Sequence, residues 1–112
     1  RIRQPFNVNT LAQVGALAAI DDTEHILRTR ENNCKGLAFL REQLDRLGLQ
    51  YVNSSANFLL VRIGADLPEK LLYQGIIIRP MNGYGYPDYA RVSIGLPEEN
   101  ERFISALERS LQ

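Results

Sequence analysis

At 112 residues the chain is one domain's worth of sequence, enough for a modest single core. Thirteen basic residues balance thirteen acidic ones and the isoelectric point is near 6.8, which argues against the basic stripe of a nucleic-acid surface. A single cysteine, Cys34, excludes an internal disulfide and fits a reducing cytoplasm; the most apolar run, Leu11 to Ile20, is interrupted by Gln13 and Gly15 and is too short to span a bilayer, and no signal-peptide pattern is present.

Residues 1–9 have no helical periodicity, and Pro5 biases Gln4 toward an extended backbone, so this stretch reads as a linker. Phe6 and Val8 within it have nothing local to pack on. Asn7 and Asn9 carry side-chain amides that suit either the edge of an active site or a backbone cap. Thr10 and Gln13 have capping-box spacing, which predicts a helix from Thr10 to about Ile20 with an alanine-rich surface open to close approach. Asp21 and Glu24 repeat the spacing and predict a second helix from about Asp22 to Leu47, stopped by Gly48. Its inward stripe should be Ile26, Arg30, Asn33, Leu37, Leu40, Leu44 and Leu47. That stripe is apolar only in its second half, so the first half is expected to bridge to something outside this chain or to be a solvated face. His25 lacks a partner at metal-ligand spacing and reads as a surface residue.

Leu49 to Val52 reads as a short strand, and Asn53 to Asn57 as a turn. Phe58 to Ile63 is apolar on both alternations, as expected of a strand inside a sheet. Asp66 caps a third helix with Glu69 at the boxed position, Leu67, Leu71 and Leu72 inward, and Gly75 as its stop. A final helix is expected from Pro97 to about Leu111, with Pro97 at its first position, Glu98, Glu99 and Glu101 at its positive end, and a buried stripe of Phe103, Ile104, Leu107 and Leu111.

Between these helices lies GIIIRPMNGYGYPDYARVSIG. Ile76 to Arg79 and Ala90 to Ile94 have strand composition, and Pro80, unable to donate to a ladder, should end the first immediately after Arg79. In the second, Val92 and Ile94 alternate with Arg91 and Ser93, so Arg91 turns away from the packed face. The connection from Pro80 to Tyr89 exceeds the roughly 2–5 residues that hairpins favour. It carries Gly83, Gly85, Pro87 and the tyrosines Tyr84 and Tyr86, and Tyr84 is a candidate neighbour of an active site. A guanidinium offers a planar fork of donors that matches carboxylate or phosphate oxygens in pairs. Arg79 and Arg91 therefore read either as a grip for a small anionic ligand or as partners of nearby acids such as Asp88 and Glu99.

Four stretches resemble the histidinol-phosphate aminotransferase family, fold-type-I enzymes that use pyridoxal phosphate: PFNVN at Pro5 to Asn9, ANFLLVR at Ala56 to Arg62, IIIRP at Ile76 to Pro80, and RVSIG followed by PEEN at Arg91 to Asn100. The resemblance implies that Arg91 holds the acidic end of the substrate, a carboxylate or the phosphate of histidinol phosphate, and that Arg79 assists it. Family members hold the cofactor through a lysine in a Ser-Lys context, which is missing here. The lysines Lys35 and Lys70 fall in amphipathic helical patterns that keep them solvated. The chain is thus expected to be a C-terminal small domain, residues 10–112, with no catalytic residue of its own and with pyridoxal phosphate bound mainly by a large domain absent from this chain.

The implied parent enzyme is a cytoplasmic homodimer that passes an amino group from histidinol phosphate to 2-oxoglutarate, giving imidazole acetol phosphate and glutamate, with no nucleic-acid or membrane partner. A hydroxyl residue is usual in the family where Leu96 stands before the last helix. Open alternatives are a related fold-type-I enzyme such as a phosphothreonine decarboxylase, a non-enzymatic α+β module that captures a small anion, and a structural role for the front helices in dimerisation. The expected fold is α+β: a small, mainly antiparallel sheet of Phe58–Arg62, Ile76–Arg79 and Ala90–Ile94, helices on one face, and a long helical hairpin in front.

Overall fold

The computed structural model of the chain describes residues 8–112, so Asn7 and the linker residues before it lie outside the described part. The chain divides at Arg30 and Glu31 into two units. In the first, α1 (Thr10–Ala19) is followed by a turn and by the opening turns of α2 (Thr23–Arg46). Asn9, not Thr10, caps α1: its Oδ1 accepts from the Ala12 N–H at 2.8 Å, while the Gln13 amide donates to the Val8 carbonyl at 3.0 Å. The same one-residue shift occurs at α2, where Asp22 rather than Asp21 accepts from the His25 N–H at 3.0 Å. Both caps use short Asx side chains that reach an N–H three residues on. Leu11, Val14, Leu17, Ile20, Ile26 and Leu27 are all exposed, so the first half of α2 contributes no core, as its polar stripe implies.

The second unit carries the sheet. Its strands are β1 (Tyr51–Val52), β2 (Phe58–Arg62), β3 (Arg79–Met81) and β4 (Tyr86–Ser93), and its helices are the rest of α2, α3 (Leu67–Leu72) and α4 (Pro97–Leu111). The strand order is β1-β2-β4-β3, antiparallel throughout. Pairing of Leu59 with Val92 and of Val61 with Ala90 places these four on one face. All four are buried with Leu37, Leu40 and Leu44 of α2, Leu67 and Leu71 of α3, and Phe103, Ile104, Ala106 and Leu107 of α4. Helices thus cover this face. The opposite face carries Phe58, Leu60 and Arg62 of β2 and the residues paired with them, Ser93, Arg91 and Tyr89 of β4.

Several boundaries differ from the sequence expectation. The strand expected at Ile76–Arg79 instead runs from Arg79 to Met81, and Pro80 lies inside it, opposite Ala90. β3 is an edge strand, where a prolyl nitrogen can face away from the ladder, and a register shift follows directly between Pro80 and Met81. The ten-residue loop contracts to a single 3₁₀ turn, Asn82–Tyr84, closed by Gly85. β4 starts at Tyr86 rather than Ala90, because the stretch around Pro87 extends past the end of β2, whose Arg62 already pairs with Tyr89. Ile94 is beyond the ladder, and its N–H donates to the Asn57 carbonyl at 2.8 Å. Of the strand expected at Leu49–Val52, only Tyr51 and Val52 pair. Leu72 and Leu111, expected inward, are exposed at the last positions of their helices. Asp66 stands at the start of α3 but makes no side-chain capping bond.

Two contacts hold α2 and α4 to the end of β4. At Gly36 a Cβ would fall 2.3 Å from Ile94 Cγ2 and 3.0 Å from Asn100 Nδ2, so a glycine is what allows α2 this close. At the start of α4, Glu99 Oε2 accepts the Leu96 N–H at 2.8 Å, but the Leu96 side chain, itself in the extended backbone of a cap (φ −66°, ψ 160°), has no acceptor to return the bond.

Gly36→Ala is expected to destabilise the unit by about 1–3 kcal/mol despite the better helix propensity of alanine, since Ile94 must move. An unchanged urea midpoint would contradict this close packing. Leu96→Thr is expected to stabilise by about 0.5–2 kcal/mol by supplying the missing acceptor, read as an upward shift in thermal melting.

Candidate functional site

The register of the sheet edge decides where the two arginines stand. Arg79 and Arg91 are directly opposite each other across β3 and β4, so both leave the sheet on the face away from the helices. Arg91 is half-buried, and its guanidinium carbon lies 5.5 Å from the centroid of the Phe58 ring, a cation–π contact that limits where the fork can point. Arg79 is exposed on the edge strand.

Neither acid that stood as a possible partner forms an ion pair with these arginines, although Glu99 lines the same cleft as they do. Asp88 lies 3.9 Å from Arg62, whose other terminal nitrogen donates to Gln50 Oε1 at 3.2 Å, and Glu99 is bonded to the Leu96 N–H. Among the described residues neither Arg79 nor Arg91 belongs to an ion pair. Of three arginines on one sheet face, only Arg62 has a carboxylate.

Both arginines line an open cleft of about 720 Å³ whose walls also include Ser93, Gly95, Asn100, Arg102 and one carboxylate, Glu99. Arg102, from α4, adds a third guanidinium; its Nη2 lies 3.2 Å from where a Cβ on Gly75 would sit. Its spacing after Glu98 and Glu99 reads in the sequence as ordinary helix-surface charge, so nothing there marks it. Asn100 is different: residues 100, 103, 104 and 107 follow helical period, and that spacing already places the amide on the buried stripe. It is 5% exposed and grips the Gly95 backbone at both ends, accepting from its N–H at 2.9 Å and donating to its carbonyl at 3.2 Å.

The remaining candidates lie apart. Tyr84 is 65% exposed in the 3₁₀ turn at the tip of the hairpin and does not line the cleft. Asn9 caps α1 in the other unit. Among the described residues no group of three or more histidine, cysteine or acidic side chains is arranged to hold a metal, and no described helix is long and apolar enough to cross a membrane.

Pyridoxal phosphate, which the resemblance implies, needs a lysine in a desolvated or cation-flanked pocket to engage its aldehyde. Lys35 is instead paired with Glu31 at 2.9 Å on an exposed helix face, and Lys70 is exposed on α3. The residues present here do not fit the reactive end of that cofactor. The cleft offers guanidinium and hydroxyl donors beside one carboxylate, Glu99, a set able to bind and orient an anion.

Comparison with known proteins identifies the family. The family described as aminotransferase class I and II matches residues 1–107. The chain is 54% identical over 117 aligned positions to histidinol-phosphate aminotransferase 2 of Ralstonia nicotianae, covering 99% of the chain and 31% of that protein. It is 52% identical to histidinol-phosphate aminotransferase 1 of Cupriavidus pinatubonensis, covering 100% of the chain and 31% of that protein. The crystal structure of the histidinol-phosphate aminotransferase from Clostridium acetobutylicum superposes with a TM-score of 0.83 at 26% identity, over 96% of this chain and 34% of that one. The chain therefore spans about a third of the length of the relatives it matches. An antiparallel sheet with helices on one face, an arginine pair on the other and a family match along almost the whole sequence lead to one conclusion: the chain belongs to the aminotransferase class I and II family.

Proposed function

We propose that the chain is the C-terminal small domain of a histidinol-phosphate aminotransferase and that it supplies the guanidinium groups, Arg91 and Arg79, that hold the anionic end of each substrate. The observation that carries this reading is the cross-strand pair itself: two like charges directly opposite each other, with no acid assigned to either. Such a pair opposes folding by roughly 0.2–1 kcal/mol unless an anion sits between the two cations. A substrate phosphate or carboxylate meets that need, and the stacked Arg91 presents its fork in a limited range of directions.

Pyridoxal phosphate, general to this family, supplies the electron sink for amino transfer and in this reading is held by other parts of the full-length enzyme. What this chain contributes is orientation. A bound anion fixes the far end of the substrate so that the amino group or keto group is delivered to the cofactor. Family members act on small molecules and are typically dimeric, and the same reading places the full-length protein as a cytoplasmic homodimer.

In the full-length enzyme, Arg91→Gln is expected to raise KM for histidinol phosphate and for 2-oxoglutarate by roughly 10- to 100-fold, the worth of one charged hydrogen-bonded pair, while the cofactor absorption stays unchanged. Arg91→Lys should recover part of the loss, since it keeps charge without the fork. Unchanged KM values in Arg91→Gln would contradict the assignment, and a protein that binds phosphate at these residues without any aminotransferase activity would point to the binding-module reading instead. Pyridoxal phosphate added to the 112-residue chain alone should keep the spectrum of free cofactor; a persistent protein-bound absorption band would overturn the view that its lysines are uninvolved.

A further inference from the structure

Asn100 is the buried polar side chain of the core, and what it holds leads directly to Arg91. Its amide bonds the N–H and the carbonyl of Gly95, and Asn32 of α2 donates to the same carbonyl at 3.1 Å. The preceding residue, Ile94, is wedged against Gly36 of α2 and donates its N–H to the Asn57 carbonyl. Asn57 is followed by Phe58, which pairs with Ser93 and carries the ring beneath the Arg91 guanidinium. The turn containing Asn57 is itself tied to α2, by Asn33 to the Ala56 carbonyl at 3.1 Å and by Arg41 to the Ser54 carbonyl at 2.8 Å. Hydrogen bonds at Asn100–Gly95 and Ile94–Asn57, the chain itself between Gly95 and Ile94 and between Asn57 and Phe58, and the Phe58–Arg91 contact therefore connect Asn100 to Arg91.

We propose that Asn100, seconded by Asn32, is a positioning residue for Arg91: it fixes the exit of β4 and thereby the Phe58 ring that aims the anion-binding guanidinium. The inference rests on the proposed role of Arg91 and adds to it a buried residue of α4 at the wall of the same cleft. A buried amide satisfied at both ends by the backbone of one residue is a rigid anchor, because losing either bond leaves a buried polar group unpaired. Removing it leaves the Gly95 N–H without its acceptor and lets the β4–α4 junction relax. The consequence should fall on substrate affinity and depend on Arg91 being present.

The test is an epistasis measurement in the full-length enzyme. Asn100→Ala is expected to raise KM for both anionic substrates about three- to tenfold with kcat changed less than about twofold, and to add nothing in an Arg91→Gln background, as coupled neighbours do. Asn32→Ala, which leaves Asn100 in place, is expected to show about a twofold rise with the same dependence; it decides the matter if Asn100→Ala does not fold. Equal effects in the two backgrounds would mean general loosening and would overturn the inference. An unchanged KM in both asparagine variants, while Arg91→Gln raises it, overturns this inference alone. An Arg91→Gln enzyme with unaltered KM brings down the anion-binding reading and this inference with it.

Discussion

Arg79 and Arg91 stand opposite each other on adjacent antiparallel strands, and among the described residues neither forms an ion pair. Two cations in that relation repel, and a polypeptide of zero net charge with thirteen acidic residues has ample means to neutralise them. It pairs Arg62 on the same face with Asp88 instead, and Gln50 accepts a hydrogen bond from the same guanidinium. The unneutralised pair is therefore a local concentration of positive charge in an otherwise balanced protein, which is what a small anion is drawn to.

The rest of the second unit keeps that pair in place. Leu59, Val61, Ala90 and Val92 face the helices, so period two sends Arg91 to the open face, and any one-residue slip of β4 would bury its charge. Pro80 and the register shift beside it fix β3 against β4 at one alignment, the one in which the arginines meet. The close approach at Gly36 and the amide grip on Gly95 fasten the far end of β4 to two helices at once. The core lies on one face and the arginine pair on the other, with β4 and α4 contributing to both the core and the cleft.

Much of this was legible from residue types and spacing. Pro97 with its following acids marked the start of α4, Gly48 and Gly75 marked the ends of α2 and α3, and the change from polar to apolar along the α2 stripe foretold that only its second half would reach the core. What failed was mostly pairing. Pro80 and Pro87 read as breakers, and in a single sequence nothing shows that one lies on an edge strand and the other past the end of its neighbour, so a tight hairpin looked like a long loop. Leu72 and Leu111 continue their stripes correctly by period but sit where the helices have already passed the core. The capping residues were displaced by one, because Asn9 and Asp22 stand beside Thr10 and Asp21 and either neighbour could accept the bond. The choice between an anion grip and internal ion pairs for Arg79 and Arg91 required the register, which places Asp88 beside Arg62.

Direct observation of the arginine side chains during an anion titration tests the central claim. With the guanidinium Nε–H resonances resolved by NMR and inorganic phosphate added at low salt, Arg79 and Arg91 should shift together and saturate, and rising chloride concentration should weaken the response. Equal small shifts at every arginine, Arg62 included, or none at this pair, would show that the two charges are not held for an anion.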